Sequence, residues 1–365
     1  MMSLMWNVET LIIAFAVLWI SHWLFRWSNP KCNGKLPPGS MGFPIIGETV
    51  EFFKACGLFQ IPPFFQKRML RYGPLFRTNI LGSNMVISTD SDVIFEIFRQ
   101  ENKSFVLSYP EIFVKARKEA TKVIKEALEM RKESGQKHGD FLDTLLEELE
   151  NDDSIYDQAS VINLILIIGI VSKDSTSFTT ALTVNLLSKN PKVLAELKRE
   201  HQAILLNRQD KEAGLSWEEY KHSTVFTNMV INESLRLSNL GTILFRKAVK
   251  DVEINGYTIP AGWIVAVAPS VVHYNSAIYE NPLEFNPWRW EGKDLRSVSK
   301  TLMVFGGGMR QCVGADFARL HLTIFLHHLV TTYDFSVVQE CDVIRTPLPC
   351  FTKDLLINIT PKSPS

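Results

Sequence analysis

The segment FGGGMRQCVG, residues 305–314, constrains this chain more than any other. It places four glycines around one arginine and one cysteine, Cys312, directly before a strongly apolar helical pattern. Glycine lets the backbone approach a neighbouring group closely, and the positive end of a helix stabilises a negative charge. The pattern therefore fits a cysteine thiolate held as a metal ligand. A glycine-rich loop around an ordinary buried cysteine is the alternative.

The composition describes a globular protein without a strong charge preference. The chain has 365 residues, 46% of them hydrophobic, so it can bury a sizeable core. Lys plus Arg equals Asp plus Glu at 39 each, which gives no overall field towards nucleic acid. The remaining cysteines are scattered without a C-x-x-C pair, so we expect a reducing compartment and small core residues. They are Cys32, Cys56, Cys341 and Cys350.

The amino-terminal stretch, residues 9–27, is apolar from residue 11 to residue 25 except for a serine and a histidine. It is just long enough to cross a bilayer as a helix. Arg26, Lys31 and Lys35 follow it, while almost no positive charge precedes it, so the body is expected on the cytosolic side. We therefore predict a single-pass membrane anchor over residues 1–27. A cleaved signal peptide would need a basic start and a small-residue cleavage site, which the sequence lacks.

A proline- and glycine-rich segment follows, and we assign residues 28–48 to it. Its sequence KLPPGSMGFPIIGE predicts a stiff, extended spacer. The body, residues 49–365, would then lie close to the membrane surface. This position favours lipophilic substrates.

Helical patterns dominate the body, with few strands. LFRTNI and MVISTD alternate like two strands, and residues 88–90 are expected to cap the helix after them. Residues 114–136 have the pattern of a solvated amphipathic helix, with a reductase or lipid contact through its lysines as the lesser alternative. Residues 160–191 predict a long buried central helix. Its polar patch, residues 172–177, is costly in a core unless it is used or satisfied.

The segment 305–314 resembles the haem-binding signature of the cytochrome P450 family, F-x-x-G-x-R-x-C-x-G. The matching residues are Phe305, Gly308, Arg310, Cys312 and Gly314. The resemblance implies a mainly α fold with a small β region, and haem b as the cofactor. It also implies that Cys312 is the axial thiolate, that Arg310 pairs with a haem propionate, and that Phe305 packs near the sulfur. Thiolate ligation favours O–O cleavage, so the implied activity is a monooxygenase.

Two further segments match the same family. Glu233 and Arg236 stand in ESLR, and Arg289 stands in NPLEFNPWRW, which resembles P-x-x-F-x-P-x-R-W. The resemblance implies that these three side chains form a buried Glu-Arg-Arg network. Arg246 falls where the family usually places a second arginine for the haem propionates. An exposed arginine at the start of a strand is the alternative for that position.

The family also delivers protons through an acid and an alcohol in the middle of its long central helix. In this chain the corresponding residues read VSKDST. Asp174 matches the acid, Ser175 replaces the usual threonine, and Thr176 could substitute for it. Val171 and Ser172 replace a pair of small residues. Either the helix bulges differently here, or the chain performs a less usual haem-thiolate reaction.

The chain departs from the family order between residues 102 and 120. Judged from domain length, on the order of a hundred residues are absent, with the junction near residues 109–114. The absent part would hold a W-x-x-x-R motif for a haem propionate, and no such motif occurs in the chain. A membrane-anchored, non-catalytic shortened form is therefore a second hypothesis. A haem-thiolate isomerase that works without a reductase is a third.

Several segments are most similar to plant members that act on steroids and triterpenes, including FFQKRMLRYGPLFRTNILG and MVFGGGMRQCVGADFARL. The resemblance implies a monomeric enzyme of the endoplasmic reticulum that hydroxylates a triterpenoid or steroid. Its electrons would come from an NADPH-dependent reductase, and nucleic acid is not an expected partner. Residues 240–244 and 349–351 are the candidate pocket segments.

Overall fold

A computed structural model describes residues 2–108, 117–151, 153–208, 210, 213–294, 297–346 and 348–362. The chain divides into two compact units. The first combines Met1–Ser108 with Leu182–Ser365, and the second is Tyr109–Ala181. The predicted junction near residues 109–114 lies outside the described residues.

Helices make up most of the regular structure, which confirms the expected mainly α class. The helices are α1 (Met2–Ser28), α2 (Thr49–Phe52), α3 (Pro63–Tyr72), α4 (Ser91–Arg99), α5 (Arg117–Ser134), α6 (Phe141–Glu150), α7 (Gln158–Lys189), α8 (Pro191–Leu206), α9 (Trp217–His222), α10 (Val225–Ser238), α11 (Pro269–His273) and α12 (Ala315–Thr332). Helices α5 and α6 belong to the second unit. Helix α7 begins in the second unit and ends in the first.

The strands all belong to the first unit. They are β1 (Cys56–Gly57), β2 (Leu75–Ile80), β3 (Ser83–Ser88), β4 (Phe105–Leu107), β5 (Leu244–Ala248), β6 (Val252–Ile254), β7 (Tyr257–Ile259), β8 (Ile264–Val267), β9 (Tyr333–Gln339), β10 (Val343–Arg345), β11 (Pro349–Phe351) and β12 (Leu356–Pro361). The largest sheet has the order β2-β3-β8-β5-β4. Smaller sheets are β1-β10-β11, β12-β9 and β6-β7.

The five-stranded sheet separates two apolar layers. Strands β2 and β3 form the predicted hairpin, and Leu81 and Gly82 adopt the left-handed conformation that its two-residue turn requires, with φ of 54° and 75°. Side chains alternate between the faces. Val86 packs with α4, whereas its neighbour Ile87 packs with α3. The carboxylate of Asp90 accepts hydrogen bonds from two backbone N–H groups at the start of α4, which confirms the predicted cap.

Helix α1 is long and apolar enough to cross a membrane, and so is α7, by length and composition. The segment after α1 packs onto the first unit. The indole of Trp27 donates to the carbonyl of Gly42 at 3.1 Å, and Met41 is buried in the core. The guanidinium of Arg77 donates to the carbonyl of Pro37 at 2.7 Å. Residues 28–48 are therefore held along the body at several points.

Helix α7 forms where the apolar pattern predicts it, but its expected burial along the whole length is wrong. Helices α5 and α6 pack on its first turns, around Val161 and Ile162. In the middle, Ile167 and Val171 are exposed, the latter by 56%. The short helices α5 and α6 cover only the beginning of α7, so the apolar pattern of its middle is not matched by packing within the second unit.

The five cysteines are all free. Cys341 is buried and Cys32 and Cys56 are half-buried. Cys350 is exposed on β11, so its prediction as a core residue is wrong.

Candidate active site

Cys312 lies near the end of the loop that precedes α12, residues 303–314, which we call the cysteine loop. This loop folds back on itself. Its backbone N–H donates to the carbonyl of Phe305 at 2.9 Å, which closes the loop. Gly306 and Gly308 have φ of 75° and 71°, a conformation that side chains other than glycine rarely adopt. The thiol of Cys312 is exposed and stands two residues before the dipole of α12 begins.

The glycines also let the loop lie directly on α4. A Cβ on Gly307 would lie 2.7 Å from the ring of Phe98, and one on Gly308 would lie 2.7 Å from the carboxylate of Glu101. No side chain fits at either position without displacing its neighbour. The loop is therefore a close-fitting element whose glycines are needed for packing as well as for turning.

The start of the loop is held by His273, which the sequence pattern did not identify. The Nε2 atom of His273 accepts from the backbone N–H of Met303 at 3.0 Å, and its Nδ1 contacts the amide oxygen of Asn239 at 2.8 Å. Burial, with Arg236 and Arg345 nearby, lowers the pKa of His273 to about 3. The neutral ring therefore keeps Nε2 free to accept. A histidine at the end of a short apolar helix gives no sequence signal for this role.

The structure brings Glu233, Arg236 and Arg289 together. Arg236 donates to both oxygens of Glu233, at 2.9 and 2.8 Å, and Arg289 donates to one of them at 2.8 Å. Glu233 and Arg236 are completely buried. The indole of Trp290 and the backbone N–H of Asn286 donate to the same carboxylate, at 3.0 and 3.1 Å. Every acceptor position of Glu233 is therefore matched by a donor, which compensates for its burial.

Arg236 also ties this network to the loop region. Its guanidinium donates to the carbonyls of His273 and Pro282, at 2.7 and 2.6 Å. The histidine that holds Met303 is thus itself held by the Glu-Arg-Arg network. Breaking the network would loosen the support of the cysteine loop.

Arg246 is 2% exposed, so it is not the exposed arginine that remained open as an alternative. Its Nε donates to Oε1 of Glu101 at 2.5 Å, and the two side chains form a buried ion pair. The other oxygen of Glu101 accepts from the backbone N–H of Arg310 at 3.1 Å. The side chain of Arg310 is exposed and has no ion pair among the described residues. Glu101 was not identified from the sequence.

A second unpredicted contact reaches Phe305. The guanidinium of Arg319 lies 5.3 Å from the centre of the Phe305 ring and donates to the side chain of Asn232 at 2.6 Å. Burial lowers the pKa of Arg319. This arginine, on α12, therefore links the loop to α10.

The predicted proton-relay residues lie on α7. Asp174 is exposed. The hydroxyl of Ser175 donates to the carbonyl of Val171 at 2.6 Å, and the carbonyl of Thr176 accepts from the hydroxyl of Thr180 at 2.8 Å. These residues belong to the second unit, whereas Cys312 belongs to the first.

Of the two candidate pocket segments, one lies against the cysteine loop. A Cβ on Gly306 would lie 3.5 Å from the side chain of Leu244, at the start of β5. Residues 349–351 form β11 in another sheet. A separate cleft of about 530 Å³ lies among α8, α9 and α10, next to Glu200, Phe226 and Trp288. It contains none of the predicted site residues.

The side chains around the loop fit a thiolate-ligated haem in two respects. Cys312 offers an exposed thiol beside Gly314, where an added Cβ would be in ordinary contact with the sulfur at 3.9 Å. Arg310 offers an uncommitted guanidinium for a carboxylate. Arg246 does not fit a haem propionate in the same way, because its guanidinium already forms an ion pair with Glu101.

A family model and several known plant proteins are similar to this chain. The cytochrome P450 family model matches residues 105–361. The chain is 50% identical to cytochrome P450 708A2 of Arabidopsis thaliana, over 98% of this chain and 99% of the relative. It is 29% identical to cucurbitadienol 11-hydroxylase of Siraitia grosvenorii, over 98% and 100%. It is 27% identical to cholesterol 22-monohydroxylase of Paris polyphylla, over 98% and 99%.

The fold has a solved counterpart. The structure of retinoic acid bound cyanobacterial CYP120A1 matches with a TM-score of 0.73 at 18% identity, over 91% of this chain and 100% of the other. The alignment with the Arabidopsis relative runs over 474 positions, whereas this chain has 365 residues. On the order of a hundred positions of the relative therefore have no counterpart here, as domain length predicted.

These findings confirm the predicted fold, enzyme class and cofactor type. Family membership implies haem-thiolate iron, a reductase as electron donor and a lipophilic substrate. The apolar helix α1 fits a membrane anchor. With a family model over most of its length and a relative half identical to it, this chain belongs to the cytochrome P450 family of haem-thiolate monooxygenases.

Proposed function

We propose that this chain is a haem-thiolate monooxygenase that hydroxylates a triterpenoid or a steroid with O₂. The observation that carries the proposal is the exposed thiol of Cys312 at the end of a glycine loop packed on α4. The substrate class is supported by relatives whose names describe hydroxylation of cucurbitadienol and cholesterol.

Each site residue has a proposed task. Cys312 ligates the haem iron, Phe305 packs near the sulfur, and Gly308 and Gly314 allow the close approach. Arg310, with its exposed guanidinium, pairs with a haem propionate. Bound haem supplies the activation of O₂, which thiolate ligation promotes.

The relay on α7 would hold protons for this reaction. Asp174 is exposed and can exchange protons with water. Ser175 and Thr176 carry hydroxyls that can donate and accept in turn. The proton of Ser175 is directed to the carbonyl of Val171, so its hydroxyl must rotate to take part.

The same proposal places the enzyme in the endoplasmic reticulum as a single-pass monomer. Residues 1–27 anchor it, residues 28–48 connect the anchor, and residues 49–365 form the haem-thiolate domain on the cytosolic side. The basic residues after α1 support this orientation. Electrons come from an NADPH-dependent cytochrome P450 reductase. Nucleic acid is not a partner, given the balanced charge.

The test is the reduced carbon-monoxide difference spectrum of the 365-residue chain in microsomes supplied with a haem precursor. A thiolate-type Soret band is expected, and Cys312→Ala should abolish it. Cys350→Ala, which removes another exposed thiol, is the matched control and should leave the band unchanged. A band that survives Cys312→Ala would refute the assignment of the ligand. Turnover of triterpenes and sterols with added reductase then tests the substrate class.

A second candidate function is a membrane-anchored form that does not hold haem productively. Two observations favour it. Positions of the Arabidopsis relative have no counterpart in this chain, and Arg246 forms an ion pair with Glu101. Protein present at normal levels without a Soret band would support this form against the first proposal.

A further inference from the structure

Glu101 lies where three elements meet. It follows the last turn of α4, and its backbone forms a bridge with Phe105, the first residue of β4. Arg246 is opposite the end of β4, on the neighbouring strand β5. The cysteine loop lies against the same point, because Gly308 has no room for a Cβ beside the Glu101 carboxylate.

The carboxylate of Glu101 has a different partner on each oxygen. Oε1 accepts from the guanidinium of Arg246, and Oε2 accepts from the backbone N–H of Arg310. Arg246 and Glu101 are 2% and 3% exposed. Together a guanidinium and a loop N–H form a binding site for one carboxylate, with charge-assisted hydrogen bonds.

Part of the Arg246 guanidinium is already bound by other groups. Its Nη1 donates to the carbonyl of Phe245 at 3.0 Å, and its charge lies 5.3 Å from the centre of the Phe98 ring. A second carboxylate at the same guanidinium would lie beside the carboxylate of Glu101, and two adjacent negative charges repel each other.

We infer that Glu101 is a built-in carboxylate that occupies this site and competes with a haem propionate for Arg246. The inference rests on the proposed haem function. It makes Glu101 a positioning residue. How strongly Glu101 holds Arg246 determines how much of the affinity for a propionate comes from Arg246 and how much comes from Arg310. Removing the charge of Glu101 frees Arg246 for the porphyrin.

The experiment compares two porphyrins that differ only in their carboxylates, metal-free protoporphyrin IX and its dimethyl ester. Both are titrated into the full apoprotein in detergent, and tryptophan quenching reports binding. Glu101→Gln keeps the size of the side chain and one acceptor oxygen while removing the charge. We expect it to tighten binding of the diacid roughly tenfold and to leave binding of the ester unchanged.

Glu96→Gln is the matched control, because Glu96 lies on the same helix and its contacts are with Arg99 and Gln100. It should behave as the wild type with both porphyrins. Adding Arg246→Gln to Glu101→Gln should return binding of the diacid to the wild-type level. If Glu101→Gln does not fold by circular dichroism, Glu101→Asp retracts the carboxylate from Arg246 by one methylene while keeping its charge, and is expected to tighten binding of the diacid by a smaller factor than tenfold.

Unchanged or weaker binding of the diacid by Glu101→Gln would overturn the inference alone. An equal gain for the ester would also overturn it, because the carboxylates would then not be what Glu101 excludes. If neither the wild type nor any variant binds either porphyrin, the proposed haem function fails and the inference fails with it.

Discussion

Glu233 carries one negative charge against two guanidiniums, and all three groups are buried or nearly so. Each group offsets the cost of burying the charge of the others, since each alone would be an unpaired charge out of water. The network also holds His273, and through it the start of the cysteine loop. A single carboxylate therefore supports residues more than fifty positions away in the chain.

Glu233→Gln is expected to lower the free energy of unfolding by about 3–5 kcal/mol, because it leaves Arg236 and Arg289 buried without a counter-charge. Urea denaturation of the detergent-solubilised chain measures the change. Glu218→Gln is the control, since Glu218 is exposed and its ion pair is with the exposed His222. A loss no larger than that of the control would show that the guanidiniums are satisfied by the backbone carbonyls alone.

Arg345 presents the opposite case. It is 2% exposed, and none of its three side-chain nitrogens has a hydrogen-bond partner among the described residues. It lies 5.8 Å from the centre of the Tyr274 ring. Within the part of the chain that the structure describes, its charge is thus buried without an ion pair.

Arg345→Met should therefore stabilise the chain by about 1–3 kcal/mol, because an apolar side chain of similar length removes the cost of burying unsatisfied donors. Thermal unfolding followed by circular dichroism would show a higher Tm. Arg71→Met, at an exposed arginine, is the control and should change the Tm little. A lower Tm for Arg345→Met would mean that the guanidinium has a ligand or ordered water as its partner.

At the scale of elements, two buried histidines join α8 to α12. Nδ1 of His201 and Nδ1 of His327 are 3.0 Å apart, and Nε2 of His201 is 3.0 Å from the hydroxyl of Thr227 on α10. That hydroxyl donates to Glu200, so it accepts from His201. His201 then accepts from Nδ1–H of His327. The arrangement requires the ring of His201 to be neutral, because its Nδ1 atom must accept.

Burial, with His327 and Arg208 nearby, lowers the pKa of His201 to about 3, and burial with Arg208 lowers that of His327 to about 4. Both values lie below the ordinary 6.5, so the unfolded chain takes up protons first as the pH falls. The stability that these rings contribute is complete above pH 6.5 and is lost as the pH falls towards 4.

His327→Asn keeps a donor near the position of Nδ1 but removes the titrating ring. We expect the slope of unfolding free energy against pH to fall by about 1.4 kcal/mol per pH unit between these values. Urea denaturation across this range measures the slope. His222→Asn, at an exposed histidine, should leave the slope nearly unchanged. An unaltered slope in His327→Asn would mean that other groups cause the acid sensitivity.

The two long apolar helices lead to a separate prediction. Removal of residues 2–27, which form nearly all of α1, should release the chain from membranes into the supernatant after alkaline carbonate extraction. Retention in the membrane pellet would point to α7 as a second membrane segment, since its apolar middle is exposed in the second unit. Replacing Val171 by Asp in the truncated chain then distinguishes insertion of α7 from aggregation.

Sequence patterns predicted those elements and contacts whose residues lie close together in the sequence. The signature around Cys312 occupies ten residues, and Glu233 and Arg236 are one helical turn apart. Glu101 and Arg246 are 145 residues apart, and neither has a local pattern that names its partner. Strands β9 and β12 were missed for a similar reason, because their pairing joins segments whose side chains are mostly exposed.

At the scale of the whole molecule, the chain retains the beginning and the end of a P450 and lacks positions in between. Local rules could predict α7 itself. They could not predict how much of it would be covered, because burial depends on segments that this chain does not contain.

Inserting the corresponding segment of the Arabidopsis relative at the predicted junction, near residues 109–114, is expected to raise the haem content. Additional covering residues reduce the access of water to the apolar surface. The ratio of haem to protein, measured as the pyridine haemochrome, gives the result. A scrambled segment of equal length is the control. Equal haem content in the chain with and without the insertion would show that the retained parts suffice.

The contact between Trp27 and Gly42 has a mechanical consequence. Because the end of α1 is bonded to the folded unit and the following segment is held along it, torque can pass from the lipid to the protein. A bilayer of different thickness that tilts α1 would turn the folded unit with it. In the proposed anchored enzyme, the lipid composition of the membrane would therefore influence the direction in which the folded unit faces the surface.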